Sequence, residues 1–285
     1  MTIDPATSLA NVELVVGDLD AQANFYRDAI GLRELRRGSG VAELGAPDGD
    51  GPLVTLIERP DAHLRPRGTT GLFHLALLVP DRAELARALN RVTATGHRFT
   101  GASDHLVSEA LYLNDPEGNG IEIYRDRPRE EWPRAEGQLQ MATLPLDVEG
   151  VLASAPAGDA GSGMAAGTAL GHVHLQVASI PAADAFYTDG IGFDAIVRGY
   201  PGALFVSAGG YHHHIGLNTW AGEGAPPPPL GARGLRSYTI VLPDEVALEA
   251  TLAAAAAAGI EAGEDESGRS IVADPSGNRA VLAVR

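Results

Sequence analysis

The chain has 285 residues, 45% of them hydrophobic and 20% charged, which is typical of a globular protein of about two domains. Its formal net charge of −16 argues against binding to nucleic acid or to an anionic membrane, because both need cationic side chains. It contains no cysteine and no lysine, which excludes disulfides, thiolate metal sites, cysteine nucleophiles and Schiff-base chemistry.

The first two segments of the chain share one order of elements. An alternating strand at Asn11–Val16 leads through a polar turn into a helix at Ala21–Ile30, which Gly31 ends. The second segment has a strand at Gly71–Leu77 and a helix at Arg82–Thr95. Further strands are predicted at Leu32–Arg36, Val41–Leu44, Leu53–Ile57, Glu109–Asn114 and Gly120–Tyr124.

The third and fourth segments repeat the same order. A strand at Gly171–Leu175 precedes a helix at Ala182–Thr188, and a strand at Gly234–Leu242 precedes a helix at Glu245–Ala258. Two final strands are predicted at Ser270–Ala273 and Ala280–Val284. We therefore predict an α+β fold built from four βαβββ modules.

Two short motifs support the repeat. The pair Phe25-Tyr26 recurs as Phe186-Tyr187. The turn Asp-Pro-Glu-Gly-Asn at 115–119 recurs as Asp-Pro-Ser-Gly-Asn at 274–278. We predict one domain of two modules over residues 1–130, a second over 169–285, and a partly ordered linker at 131–168, which is rich in Pro, Gly, Ala and Ser.

Ligand-type residues occupy matched positions in only two modules. His74 and His172 each lie near the start of the first strand of a module, and Glu122 lies in the last strand of module 2. Two imidazoles and one carboxylate form a facial triad that suits non-haem Fe(II), with Mn(II) as the alternative ion. The corresponding positions elsewhere hold non-ligands or weak ligands: Asn11, Ser237 and Val281.

This distribution predicts one metal-bearing cavity shared by modules 2 and 3, and a vestigial cavity shared by modules 1 and 4. The prediction has a geometric condition. His74 and His172 must approach within about 7 Å, because metal–nitrogen bonds near 2 Å cannot bridge a larger gap.

The four modules and the two motifs resemble the vicinal oxygen chelate superfamily, which includes glyoxalase I, bleomycin-resistance proteins and extradiol dioxygenases. The runs at 203–220 and 107–113, the latter continuing at Asp126–Arg129, resemble the bacillus-type catechol 2,3-dioxygenase subfamily. The resemblance implies an oxidoreductase of aromatic hydrocarbon catabolism that inserts O₂ into catechol or a substituted catechol. The product would be of the 2-hydroxymuconic semialdehyde type. Members of the family often form homo-oligomers, and the sequence leaves the oligomeric state of this chain open.

The resemblance also implies roles for residues. His74, His172 and Glu122 match the family's metal ligands, and Tyr112 matches a tyrosine ten positions before the ligand glutamate. A family histidine that acts as acid and base corresponds to His214, or to His213 as the second choice. Strand alternation would place His212 and His214 on one face.

Five further residues are predicted to bind substrate. Many extradiol enzymes have a histidine nine positions before the tyrosine; here that position is Ser103, and the nearest histidine is His105. The other candidates are aromatic or small residues near the predicted site, for which core packing is the competing interpretation. The predicted substrate-binding residues are His105, Phe73, His174, Asn218 and Trp220.

Two other functions fit this fold. A glyoxalase-like isomerase or lyase would use four protein ligands and Ni or Zn, and module 3 offers no second glutamate in its last strand. A resistance protein that sequesters a small molecule would usually have lost the ligands. No run of 18 apolar residues is present, and the first ten residues lack a basic cluster, so we expect a cytoplasmic protein.

Overall fold

The computed structural model describes residues 2–285 and contains the four predicted modules in the predicted order. Module 1 has strands β1 to β4 at Ser8–Val16, Arg33–Gly38, Val41–Gly45 and Val54–Glu58. Module 2 has β5 to β8 at Gly71–Leu78, Gly101–Asp104, Ser108–Asn114 and Gly120–Asp126. Three two-residue strands, β9 to β11, follow at Arg134–Ala135, Gln138–Leu139 and Leu144–Pro145. Module 3 has β12 to β15 at Ala169–Gln176, Asp194–Val197, Ala203–Ser207 and Ile215–Asn218, and module 4 has β16 to β19 at Gly234–Leu242, Gly263–Glu264, Ser270–Ala273 and Arg279–Val284.

Each module has one main helix after its first strand. A side-chain oxygen of the residue before each helix accepts a hydrogen bond from a backbone N–H of the first turn. This N–H has no partner within the helix itself. These capping residues are Asp18, Asp81, Ser179 and Asp244. The α-helices α1 to α5 lie at Leu19–Phe25, Arg82–Ala94, Val148–Leu152, Ile180–Asp184 and Glu245–Ala257. A π-helical turn extends α1 at Tyr26–Ile30 and α4 at Ala185–Gly190, and a 3₁₀ turn lies at Arg129–Glu131.

The strands form two large mixed sheets that do not follow the order of the modules along the chain. The outer-module sheet joins modules 1 and 4 in the order β17-β18-β19-β16-β1-β4-β3-β2. The inner-module sheet joins modules 2 and 3 in the order β11-β6-β7-β8-β5-β12-β15-β14-β13. In each sheet the first strands of the two modules pair antiparallel at the centre. Modules 2 and 3 therefore share one continuous sheet.

The two repeated motifs hold consecutive modules together. The Tyr26 hydroxyl of module 1 donates to Asp115 of module 2 at 3.3 Å, and the Tyr187 hydroxyl of module 3 donates to Asp274 of module 4 at 3.1 Å. Each aspartate also accepts backbone N–H groups of its own turn. The sequence repeat thus marks contacts between the sheets, whereas the strand pairing joins modules within each sheet.

The segment predicted as a linker contains short ordered elements that pack on the modules. Strand β11 pairs with β6 at the edge of the inner-module sheet. The buried guanidinium of Arg91, on α2, donates to the backbone oxygens of Ala160 and Gly163 in this segment and to that of Ile30 in module 1. The domain limits at 130 and 168 stay a prediction.

The core is continuous across the modules. Buried apolar residues from the first strands of all four modules belong to one cluster, for example Val12, Leu75, Val173 and Ile240. Strand alternation leaves the opposite face of each sheet free to line a cavity.

Among the helices of residues 2–285, none has the length and apolar character needed to cross a membrane.

Candidate metal centre and cavity

The centre of the inner-module sheet brings the two predicted ligand histidines together. Strands β5 and β12 are antiparallel neighbours, with His74 directly opposite His174 and His172 opposite Ala76. Residues two apart on a strand share a face, so both ligand-type histidines lie on one side of the sheet. Strand β8 pairs with the other edge of β5 and places Glu122 beside Ala76.

The three side chains converge on one point. The Glu122 Oε2 atom lies 3.0 Å from His74 Nε2 and 3.1 Å from His172 Nε2, and the two nitrogens are 3.3 Å apart. All three residues are buried. The two histidine nitrogens, 3.3 Å apart, thus satisfy the limit of about 7 Å that a shared metal ion requires.

The protonation of Glu122 and His172 favours metal ligation over a simple ion pair. Burial raises the pKa of Glu122, but the charges and hydrogen bonds of His172 and His74 outweigh burial and hold this pKa well below its usual range. Burial lowers the pKa of His172 to about 4, against the opposing effect of Glu122. A carboxylate and a neutral imidazole are the forms that bind metal ions.

The geometry fits a divalent ion. Metal–ligand bonds of about 2.1 Å that meet near right angles separate the ligand atoms by about 3 Å. Within residues 2–285, His74, Glu122 and His172 are the one group of three or more His, Cys, Asp or Glu whose ligand atoms lie within 4.8 Å of one another. These residues could hold one ion and leave coordination positions for other molecules.

A cavity of about 440 Å³ opens beside the triad, with His74 and Glu122 in its wall. Tyr112 lies directly opposite Glu122 across the β7–β8 pair and also lines the cavity. Its hydroxyl is 2.6 Å from Nε2 of His105, whose Nδ1 lies 2.7 Å from the backbone oxygen of Ala142. Tyr112 and His105, both predicted from the sequence, are thus hydrogen-bonded neighbours at the cavity wall.

Aromatic rings form another part of the wall. The ring centroid of Phe73 lies 5.2 Å from that of His174 and 5.2 Å from that of Trp220, so these three predicted residues pack together in the lining. His174 is buried, its Nε2 atom has no hydrogen-bond partner, and burial holds its pKa well below the usual range. The cavity therefore combines a flat apolar surface with a neutral imidazole.

Several lining residues were missed in the sequence analysis. Tyr200 and Phe205 lie in the wall, and the linker segment contributes Met141 and Thr143. The Tyr200 and Thr143 hydroxyls are 3.0 Å apart, although 57 positions separate the residues along the chain. No periodic pattern marks these residues, because only tertiary packing brings the linker over the cavity.

The three adjacent histidines correct one prediction. They lie in the loop between β14 and β15, not in a strand, so strand alternation does not apply to them. His213 lines the cavity, and its ring centroid is 4.1 Å from that of His172. His214 is absent from the lining; its Nδ1 atom accepts from the backbone N–H of Ala208 and lies 2.9 Å from Ser207 Oγ. The second choice, His213, therefore has the position required of an acid–base group.

Asn218 lies outside the cavity wall, and its predicted role in substrate binding stays a prediction. Its side chain is fully buried and absent from the cavity lining. Its Oδ1 atom accepts from the backbone N–H of Trp220 at 3.0 Å. Asn218 fixes the turn that presents Trp220, so its effect on the cavity is indirect.

The outer-module sheet has a cavity of its own, of about 600 Å³, where the positions that match the triad hold Asn11, Ser237 and Val281. The Thr55 hydroxyl donates to Asn11, and the Ser237 hydroxyl donates to Glu13. Arginine and acidic side chains make up much of the remaining wall. This cavity lacks the ligand set of the inner-module sheet.

Two known dioxygenases are similar to this chain in sequence. The chain is 48% identical to a catechol-2,3-dioxygenase of Bacillus subtilis (strain 168) over 252 residues, 87% of each chain. It is 28% identical to the biphenyl-2,3-diol 1,2-dioxygenase 3 of Rhodococcus globerulus over 128 residues, which are 44% of this chain and 66% of the relative.

Solved structures show a similar arrangement of the whole chain. A structure from Bacillus subtilis subsp. subtilis str. 168, provisionally named a dioxygenase, matches with a TM-score of 0.70 and 14% identity over 100% of this chain and 86% of the other. Glyoxalase I from Zea mays matches with a TM-score of 0.59 and 18% identity over 97% and 92%. At these identities the likeness shows the fold alone.

The family comparison covers both halves of the chain. The family model described as "Glyoxalase/Bleomycin resistance protein/Dioxygenase superfamily" matches residues 8–123 and again residues 169–282. These two stretches cover the four modules and leave out the whole of the predicted linker. The chain belongs to the glyoxalase, bleomycin-resistance protein and dioxygenase superfamily.

Proposed function

We propose that this protein is an Fe(II)-dependent extradiol dioxygenase that cleaves the ring of catechol or a substituted catechol with O₂. The observation that carries the proposal is the convergence of His74, His172 and Glu122 within 3.3 Å at the wall of an aromatic-lined cavity. The 48% identity to a catechol-2,3-dioxygenase supports it. We expect a ring-opened product of the 2-hydroxymuconic semialdehyde type.

The metal would be held by His74, His172 and Glu122. When bound, Fe(II) supplies a Lewis acid that lowers the pKa of the catechol hydroxyls and a redox-active centre that accepts O₂. Mn(II) is the alternative ion, since the same ligands suit it. The charge of Glu122 matters here, because a neutral third ligand would leave the centre more positive and less able to release electron density.

Tyr112 and His105 would orient the diol. The hydrogen bond between the Tyr112 hydroxyl and His105 Nε2 fixes the phenol ring beside Glu122. Burial, together with the charge of Glu122, holds the pKa of Tyr112 well above its usual range, so the phenol stays protonated. The backbone oxygen of Ala142 only accepts, so a neutral His105 donates to it through Nδ1 and accepts the Tyr112 proton at Nε2. A diol oxygen that replaced His105 as the acceptor would receive this hydrogen bond.

His213 would move the proton that the reaction requires. Burial, followed by the neighbouring charges of His172 and His212, holds its pKa well below the usual range, so the ring is neutral and able to accept a proton. Phe73, His174 and Trp220 would pack against the aromatic ring of the substrate. A homo-oligomeric state and a cytoplasmic location stay predictions.

Two other functions remain as outcomes of a test. The described residues 2–285 hold three clustered ligands, whereas a glyoxalase-like isomerase or lyase favours four. A sequestering resistance protein would bind the aromatic compound without turnover.

One experiment separates the three functions. The protein is loaded anaerobically with Fe(II) and mixed with catechol in air, and the absorbance of a yellow ring-opened product is followed together with O₂ uptake. We expect equal rates of product formation and O₂ consumption. Binding of catechol without O₂ uptake would indicate sequestration, and turnover of a glutathione hemithioacetal alone would indicate an isomerase.

A further inference from the structure

We propose that Asp126 and His212 are positioning residues that set the hydrogen-bonding state of His213, so that an unprotonated Nε2 of His213 is available to the cavity. The inference rests on the proposed function, because His213 acts on a substrate only if the reaction takes place in this cavity. It assigns a purpose to a buried histidine and a carboxylate that no step described so far uses.

The three side chains form a continuous hydrogen-bonded row. Asp126 Oδ1 lies 2.8 Å from His212 Nε2, and His212 Nδ1 lies 2.8 Å from His213 Nδ1. His212 is fully buried, and the ring of Trp132 packs against it with a centroid distance of 5.3 Å. The row starts at the last residue of β8 and ends at the cavity wall.

The donors and acceptors of this row can be assigned from one end. An ionised carboxylate only accepts hydrogen bonds, so His212 Nε2 must carry the proton that points at Asp126. If His212 is neutral, its single proton is the one on Nε2, and Nδ1 is left as an acceptor. His213 Nδ1 must then donate to it, and the neutral His213 ring has no proton left for Nε2.

The opposite assignment is unfavourable. If His213 carried its proton on Nε2, His212 would have to donate through Nδ1. A neutral His212 would then turn a lone pair of Nε2 toward the carboxylate, and an uncompensated contact of this kind between buried acceptors is costly. Within residues 2–285, no arginine side chain forms a salt bridge with Asp126 that would neutralise its charge. The carboxylate at the end of the row therefore selects one arrangement of protons.

Position and packing support a role at the cavity. The His213 ring contacts the rings of His172 and Phe205, at centroid distances of 4.1 and 4.9 Å. Since Nδ1 is occupied by His212, Nε2 is the one ring nitrogen left to meet a substrate proton. The row thus fixes both the orientation of the ring and the nitrogen that acts.

The test uses the substitution Asp126→Asn, which keeps the shape but offers an NH₂ group that can donate to His212 Nε2. Glu130→Gln is the matched control, because Glu130 is an exposed carboxylate four positions away. Asp126→Glu is the conservative variant that restores an acceptor. Histidine ring ¹⁵N signals of the metal-free full-length protein report which nitrogen carries a proton, and the His213 signals are assigned by their loss in His213→Gln.

We expect wild-type His213 to be protonated on Nδ1 and unprotonated on Nε2, and Asp126→Asn to shift it toward the opposite form. In the Fe(II)-loaded enzyme, Asp126→Asn should lower kcat by about 10- to 1,000-fold and change KM by less than about threefold, since a misplaced proton affects the acid–base step and not binding. Glu130→Gln should leave both values unchanged, and Asp126→Glu should recover most of kcat.

A wild-type His213 that is protonated on Nε2 would overturn the inference, and so would an Asp126→Asn protein with wild-type ¹⁵N signals. If the wild-type enzyme fails to cleave catechol, the proposed function is wrong, whereas the ¹⁵N result still decides the arrangement of protons. The two failures are therefore distinguishable.

Discussion

The inner-module and outer-module sheets have the same architecture and different side chains at matched positions. In both, the first strands of two modules pair antiparallel at the centre and a cavity lies on one face. The inner cavity presents His74 and Glu122 beside aromatic rings, and the buried His172 lies within 3.3 Å of both. The outer cavity presents Asn11, Ser237 and Val281 among arginines and acidic residues.

This comparison shows that the fold determines where the matched side chains lie, whereas their identity determines whether the cavity can bind a metal ion. Small polar residues such as Asn11 and Ser237 satisfy their hydrogen bonds with single neighbours in the outer cavity. The buried triad of the inner cavity has its ligand atoms within 3.3 Å of one another, an arrangement that a bound cation would stabilise. Three predictions test this contrast.

The largest effect should come from removing a ligand. We expect His74→Ala, His172→Ala and Glu122→Ala each to weaken Fe(II) binding by more than about 100-fold, because a lost ligand costs more than a lost partner outside the coordination shell. Ring cleavage should fall to background. Metal content after anaerobic loading and desalting measures the first effect, and product absorbance measures the second.

Asn11→Ala and Ser237→Ala are the matched controls in the outer cavity. Both should retain one iron per chain and the wild-type rate. If either outer variant lost as much iron as the His74, His172 and Glu122 variants, the inner cavity would not be the one metal site.

A smaller effect should separate His213 from His214. We expect His213→Phe to retain iron and to lower kcat by roughly 10²- to 10⁴-fold, which is the usual contribution of a general acid or base. His214→Phe should have a far smaller effect on kcat, because His214 does not line the cavity. Steady-state kinetics with catechol compares the two, and the reverse order of effects would return the acid–base role to His214.

The smallest effect should be a difference in acid stability between the sheets of the metal-free protein. Burial lowers the pKa of His172 and of His214 to about 4, both in module 3. The unfolded chain then binds more protons between about pH 6.5 and 4, so these residues stabilise the fold above pH 6.5 and lose that effect as the pH falls. At pH 5 each of these two histidines should lower the free energy of unfolding by about 2 kcal/mol relative to its value above pH 6.5.

Hydrogen exchange at pH 7 and pH 5, corrected for the intrinsic rates, measures this difference. We expect β5 and β12 to lose more protection than β1 and β16, whose sheet has no buried histidine among residues 2–285. In His214→Gln the loss at β12 should be smaller. Equal loss in both sheets would contradict the prediction.

Much of the fold was predictable because local patterns repeat. The helix that begins at Arg82 and the strand at Gly234–Leu242 are found where alternation, capping and glycine placed them. The loop histidines were assigned to a strand, although Gly209 and Gly210 directly before Tyr211 are a turn signal that the sequence analysis did not use. Tyr200 and Thr143 gave no signal, because their meeting depends on how the linker packs.

The sequence by itself determined the four modules, the matched histidines and the single glutamate, because periodicity and repetition are properties of neighbouring residues. The distribution of ligand-type residues also predicted that modules 2 and 3 share a cavity. Only the tertiary structure decided the order of strands that joins these modules, that His213 and not His214 reaches the cavity, and that Asp126 meets His212 across 86 positions of chain. Those outcomes depend on strand pairing and loop packing between distant segments, which no local pattern encodes.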